Sequence, residues 1–308
     1  MNIMTLINAL PGAVAQGLIW GIMAIGVYLT FRILDFADLT VDGSMCTGGA
    51  VCIMMMQAGF GVWPSMLAAT GAGMLTGLAT GIFHTCMGIP AILSGILTQL
   101  SLYSVNLKIM GKANQAISVG KYDLLVSLRY IKGVPFYQNT IFVVAVFIVV
   151  LIAVLYWFFG TELGCAIRAT GCNSSMSRAQ GINTSFNKVL GLMVSNGLVA
   201  LSSALLAQYQ GFADINMGRG AIVIGLAAVI IGEAVFSKIF RNFALRLLGV
   251  ALGSILYYLV LQTVIWLGID TDLLKLLSAI VVAIFLATPY WKGKYFSKPM
   301  KRGGNSNA

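Results

Sequence analysis

The chain has 308 residues, of which 59% are hydrophobic and 9% charged, against about 25% charged in an ordinary soluble domain. That balance excludes a soluble globular fold and requires an integral membrane protein. The net charge of +10 does not indicate a nucleic-acid partner, because the Lys and Arg residues fall in short clusters between apolar runs.

The first apolar run is Pro11 to Phe31. No Lys or Arg precedes it, so the basic region of a cleavable signal peptide is missing, and it reads as a retained first helix. Asp35 to Ser44 (DFADLTVDGS) then breaks the apolar pattern with three aspartates, a Thr, a Ser and a Gly. The pattern resumes in a shorter segment, Gly43 to Ala58, and in Pro64 to His84, where Gly73, Gly77 and Gly81 repeat every fourth residue. Glycines at that spacing share one helix face and let a second backbone approach closely. Pro90 to Leu107 follows, and then a basic outer loop, 111–138.

Asn139 to Gly160 holds 22 uncharged residues, enough at about 1.5 Å per residue to cross a hydrocarbon core of about 30 Å. Next comes a polar, Gly-punctuated island, 161–183. Asn173 is a good helix N-cap and Gly181 suits the left-handed residue beyond a helix end, so Ser174 to Gln180 reads as a separate two-turn helix, with Gly171 ending the helix before it. So short a helix is unstable alone and needs something to dock against. Ser185 to Ala207 spans again. A second break, Gln210 to Gly220 (QGFADINMGRG), precedes the short segment Gly220 to Phe236; Leu247 to Gly268, Leu273 to Trp291 and a basic tail, 292–308, complete the chain. The total is about nine transmembrane helices, with eight to ten as the range, in one all-α polytopic domain covering 1–308. The breaks around Asp38 and Asp214 mark broken helices, which at membrane depth must be buried in protein or line a water-filled cavity. The two breaks also raise the possibility of an internal repeat.

Arg168, Arg178 and Lys188 flank the island, Lys238, Arg241 and Arg246 follow the seventh segment, and the tail carries five more basic residues. Alternation places these clusters on one side, which the positive-inside rule makes cytoplasmic, with the N-terminus outside. The outer loop, with Lys112, Lys121, Arg129 and Lys132, is the exception.

The nine acidic residues map near segment ends or in loops, leaving no evident mid-membrane ion relay. His84, the single histidine, has no second ligand close by and reads as an interfacial or capping residue. The five cysteines form no CxxC pair and read as small buried residues. Trp20, Tyr103, Tyr209 and Trp266 read as interfacial anchors more readily than as stacking platforms. A nucleophile elbow, HExxH and a phosphate loop are all missing. If ATP energises this protein, another chain must bind it.

Three stretches carry a family resemblance: Thr161 to Asn183, DLTVDGS at 38–44 and LAAVIIGE at 226–233. In that order they resemble the coupling loop, the DLSVG-type segment and the AAVVIGG-type segment of the permease subunits of ABC importers, in the branch serving branched-chain amino acids, ribose and related solutes. DLTVDGS is most similar to tryptophan/tyrosine-type amino-acid permeases. The chain lacks the basic N-terminal extension and extra first helix of the ribose-type members, and Glu233 replaces a usual Gly. The resemblance implies a bacterial plasma-membrane protein that pairs with a second permease copy, as a homodimer, around a central path. Cytosolic ABC ATPase subunits would carry the ATP and Mg, no cofactor would be bound by this chain itself, and an extracytoplasmic binding protein would deliver the solute. It assigns the ATPase contact to Glu162, Gly164, Arg168, Ala169, Gly171, Asn173, Ala179 and Gly181. Path candidates are Asp38, Thr40, Asp42 and Ser44 from the first break and Asn196 and Asn216 from the second half, with plain helix-end satisfaction as their alternative role. The rival functions are an ion-coupled secondary transporter, an ABC permease for a sugar or nucleoside, and an intramembrane enzyme.

Overall fold

The computed structural model describes residues 3–118, 122, 124–131, 138–237, 239–240 and 242–267, with scattered positions between 273 and 287. Most of the expected segment Leu273 to Trp291, the tail 292–308, and Asp123, Asp270, Asp272, Lys121, Lys132, Lys238 and Arg241 lie outside the described residues.

Helix α1 (Ile3–Tyr28) continues as a π-helical turn, Leu29–Ile33. It is followed by α2 (Val41–Gln57), α3 (Val62–Thr85), α4 (Ala91–Met110), α5 (Thr140–Gly160), α6 (Glu162–Cys172), α7 (Ser174–Ala179), α8 (Thr184–Gln210), α9 (Ala221–Phe236) and α10 (Phe243–Trp266). Among the described residues, five stretches are long and apolar enough to cross a membrane: Ile7–Ile33, α3, α5, α8 and α10. The chain is an all-α polytopic membrane protein with one small sheet, in which β1 (Asn114–Ala116) pairs antiparallel with β2 (Phe212–Asp214), Asn114 opposite Asp214. That sheet was not expected in the outer loop and the second break. It forms because both segments leave the membrane at the same end, where Gln57 donates to the Ala116 carbonyl at 2.9 Å.

Contacts sort the helix ends into two sets. Gln57, β1, β2 and Tyr209, whose hydroxyl donates to the Gly12 carbonyl at 3.3 Å, share one end. Arg32, which pairs with Glu233 at 3.0 Å, and His84, whose Nε2 lies 3.4 Å from Lys188 Nζ, share the other with α6 and α7. The chain therefore alternates direction at α1, α2, α3, α4, α5, α8, α9 and α10.

Lipid removes most of the hydrophobic drive for helices to associate, so close backbone approach and interhelical hydrogen bonds must hold them. The α3 glycines supply the first: a side chain at Gly77 would strike the Leu192 carbonyl of α8, and one at Gly73 the backbone of Asn196. Serines supply the second. Ser254 of α10 donates to the Gly17 carbonyl at 2.5 Å, Ser202 to Ile19 at 2.7 Å and Ser195 to Gly26 at 2.7 Å.

The two breaks belong to similar units running in opposite directions. Phe36-Ala37-Asp38 lies between α1 and α2 at the α7 end, and Phe212-Ala213-Asp214 between α8 and α9 at the sheet end. α1 packs on α10 as α8 packs on α3. Four residues beyond each aspartate the units meet: a side chain at Gly218 would strike the Asp42 carbonyl. Helices α2 and α9, of 17 and 16 residues, are about 25 Å long, short of the hydrocarbon thickness, which suits helices that begin inside the membrane.

Some expectations are corrected. Trp20 and Tyr209 are buried, Trp20 against the ring of Tyr258 at 5.8 Å, and so are core residues and not interfacial anchors. Cys46 and Cys52 are buried, but Cys86, Cys165 and Cys172 are exposed, because they sit on helix ends and on the polar loop. His84 closes its turn by a 2.9 Å contact from Nδ1 to the Ile89 carbonyl oxygen and packs edge-on against Phe36.

Candidate translocation and coupling sites

Four of the six path candidates converge. Asp38 accepts from the Thr40 backbone N–H at 2.9 Å and from Asn196 Nδ2 at 2.7 Å. Asn196 Oδ1 accepts from the Ser44 hydroxyl at 2.6 Å, and that hydroxyl lies 2.6 Å from Thr76. Thr40 joins Thr80 at 2.6 Å, and Thr80 donates to Thr98 at 2.9 Å. Every member is buried, Asp38 at 2% exposure and Ser44 and Asn196 at 0%. The network ties the first break and α2 to α3, α4 and α8, and none of its members lines the cavity beside Asp42 or the one beside Glu233.

Asp42 has a different position. Helix resumes at Val41, so Asp42 lies in the first turn of α2, where its two oxygens accept from the Gly220 and Ile222 backbone N–H groups at 3.0 Å each. One broken helix thus caps the other, satisfying first-turn amides for which lipid offers no acceptor. Gly43, the next residue, packs against Gln99 and Leu102, at the midpoint of α4. Asp42 is therefore at a helix end, as expected, but that end lies near the middle of α4 and so near mid-depth. Asn216 joins neither group: its side chain is exposed, its backbone N–H donates to Asp214 at 2.7 Å and its carbonyl accepts from the Arg219 N–H at 3.0 Å.

The island folds as α6 and α7. Asn173 caps α7 by accepting from the Met176 N–H at 3.0 Å, and Gly181 has φ +80°. Gly171 does not end α6, which runs to Cys172; the residue must be glycine-sized because a side chain would strike the Ile33 carbonyl at the end of α1. Gly164 is likewise turned inward, against Phe158 and Phe159. Arg168 donates to the Phe159 carbonyl at 2.8 Å with its guanidinium 5.9 Å from the Phe243 ring centre, closing the end of α5. Ala169 is half-buried. The outward surface includes Glu162, Leu163, Asn173, Met176, Arg178, Ala179 and Gly181, with Met176 63% exposed.

Sequence reasoning missed two arrangements at this end. Glu233 pairs with Arg32 beside a cavity of about 340 Å³ that Arg246 also lines. A second cavity, about 300 Å³, joins Asp35, which has φ +52°, to Gly171, Asn173 and Lys188, so the first break and the island meet directly. The acid–base pairing spans 201 positions and leaves no local sequence signal.

Broken helices meeting near mid-depth, together with a short helix displayed at one end of long ones, fit a membrane permease, and the comparisons with known proteins show that class. The chain belongs to the branched-chain amino acid transport system / permease component family, whose pattern matches residues 10–286, and so to the membrane subunits of ABC importers. It is 38% identical over 281 residues, 91% of each chain, to a tyrosine transport system permease protein of Clostridioides difficile (strain R20291). It is 35% identical over 283 residues to an uncharacterized protein of Rickettsia prowazekii (strain Madrid E), covering 91% of this chain and 98% of that one. A fructose import permease protein of Bifidobacterium longum (strain NCC 2705) is 27% identical over 269 residues, 86% of this chain and 73% of the relative. No solved structure matches.

Proposed function

We propose that the chain is the membrane-spanning subunit of an ATP-driven importer for an amino acid, aromatic or branched-chain, delivered by an extracytoplasmic binding protein. The observation that carries the reading is α7: a six-residue helix, fixed by a side-chain cap at Asn173, that buries only Ser177 and turns Met176, Arg178 and Ala179 outward. A helix that short draws its stability from docking, and the apolar Met176 with the cationic Arg178 offers a partner both contact area and charge. The tyrosine permease relative supports the amino-acid substrate, since the match covers 91% of both chains.

In this reading the island divides its labour. Outward residues Glu162, Asn173, Ala179 and Gly181 meet a cytosolic ATPase that carries ATP and Mg. Inward residues Gly164, Arg168, Ala169 and Gly171 hand its movement to α5 and to the end of α1. The α7 end is cytoplasmic, the N-terminus and the sheet face outward in a bacterial plasma membrane, and two copies pair as a homodimer. The whole chain forms one permease domain, with 111–138 outside and 292–308 in the cytoplasm.

The test is uptake of radiolabelled L-tyrosine, L-leucine and fructose into inside-out and right-side-out vesicles carrying the permease with a co-expressed ATPase and binding protein. Amino-acid uptake that requires ATP and survives an ionophore supports the reading. Uptake abolished by the ionophore points to an ion-coupled carrier, and fructose uptake alone to a sugar permease.

A further inference from the structure

Beside the cap that joins α2 to α9 lies a cavity of about 260 Å³, lined by Asp42, Gly43 and Cys46 of α2, Gln99, Leu100, Tyr103 and Asn106 of α4, and Ile215 and Arg219 of the second break. Three facts set it apart from a packing defect. First, it runs along α4 from Gln99, near the middle of that helix, to Asn106, about 6 Å short of its end at about 1.5 Å per residue, and so reaches from mid-depth toward the sheet end. Second, Asn106, 1% exposed, keeps its Oδ1 without any hydrogen-bond partner, although Nδ2 donates to the Gly43 carbonyl at 3.4 Å. An unmade hydrogen bond of this kind is expensive, and a bound group that supplied the missing donor would recover the cost. Third, Arg219 is exposed and has no carboxylate within 4.0 Å among the described residues, since both Asp42 oxygens are engaged by the α9 amides. Ionisable side chains at this depth avoid lipid and face water or a partner.

Resting on the amino-acid importer reading above, we infer that this cavity is a solute subsite in the path, built for a zwitterion with an apolar or aromatic side chain. Arg219 takes the carboxylate, Asn106 Oδ1 and Gln99 take the ammonium, and the Tyr103 ring, 46% exposed, lies along the side chain. Charge-assisted recognition at both ends of one small molecule gives Arg219, Asn106 and Gln99, the polar groups on an otherwise largely apolar wall, a shared role. The volume, about 260 Å³, falls just below the range of about 300 Å³ upward that drug-sized ligands need, which restricts the site to a small solute. Asp42 completes the site indirectly, because its grip on Gly220 and Ile222 places Arg219 at the rim.

The test measures binding to the full-length permease in lipid nanodiscs by saturation-transfer NMR, with L-tyrosine and L-leucine as probes. Tyramine, which lacks the carboxylate, and 3-(4-hydroxyphenyl)propionate, which lacks the ammonium, serve as controls. The wild type is expected to bind L-tyrosine about tenfold or more tightly than either control, a factor matching the loss of one charge-assisted hydrogen bond. Arg219→Gln should erase the preference over tyramine alone, Asn106→Leu the preference over the propionate alone, and Arg219→Lys should restore part of the first. Arg219 and Tyr103 lie on exposed positions, so variants there report on binding without disturbing the core. Equal binding of all three probes, or variants that leave the preferences intact, would overturn the subsite while leaving the amino-acid importer standing. Absence of any amino-acid uptake by the complete importer would remove both.

Discussion

Gly171 and Asn196 show how a single position can be chosen by packing where the sequence suggests another reason. Gly171 looked like a helix terminator, yet it faces the Ile33 carbonyl inside the last turn of α6. Gly171→Ala should therefore cost about 1–3 kcal/mol by forcing two backbones apart, seen as a lower melting temperature of the purified permease, with ATPase attachment lost as a consequence. An unchanged melting temperature would return the residue to the docking surface. Asn196→Leu strands the Asp38 and Ser44 partners in a buried network, and about 1–3 kcal/mol per unsatisfied polar group predicts a poorly folding chain. Asn196→Leu at wild-type expression and thermal stability would contradict that account. Glu233→Gln, by contrast, breaks a pair whose members are 37% and 59% exposed, so less than about 1 kcal/mol should be lost; a large drop in the same melting experiment would mean the pair carries more than its exposure allows.

Among the elements, α7 is the one whose role separates cleanly from stability. Its caps were legible because Asn173 and Gly181 sit at fixed local offsets, and the α3 glycine face was legible because its period of four is a property of one helix. What α7 leaves outward was not legible, since direction depends on α6 and α8 beneath it, and neither was the bond that half-buried Arg168 makes to the Phe159 carbonyl at the end of α5. Likewise Asp42 could be read as part of a break but not as the cap of a helix 178 positions later. Ala179→Trp should leave the melting temperature unchanged and remove the ATPase from affinity-purified permease. Co-purification at the wild-type level would place the contact elsewhere.

At the scale of the whole molecule, two units with a shared Phe-Ala-Asp run in opposite directions and touch at Asp42 and Gly218. Helix count and charge clusters suggested that alternation. The mutual capping at its centre could not be read from the chain, because it exists only once the units face each other. The arrangement places Cys172 and the sheet residue Asn114 at opposite ends. In a background lacking the other cysteines, Cys172 should react with a membrane-impermeant maleimide only in inside-out vesicles, and an Asn114→Cys variant without Cys172 only in right-side-out ones. Labelling of both positions from one side would break the topology.

The central claim is that ATP hydrolysis on another chain drives an amino acid through this one. Proteoliposomes containing the permease, its ATPase and binding protein, loaded with ATP on the α7 side, test it most directly. The account predicts concentrative uptake of L-tyrosine or L-leucine that stops with a non-hydrolysable ATP analogue and persists when ion gradients are collapsed. Uptake that continues without ATP and disappears with the ion gradient would contradict it.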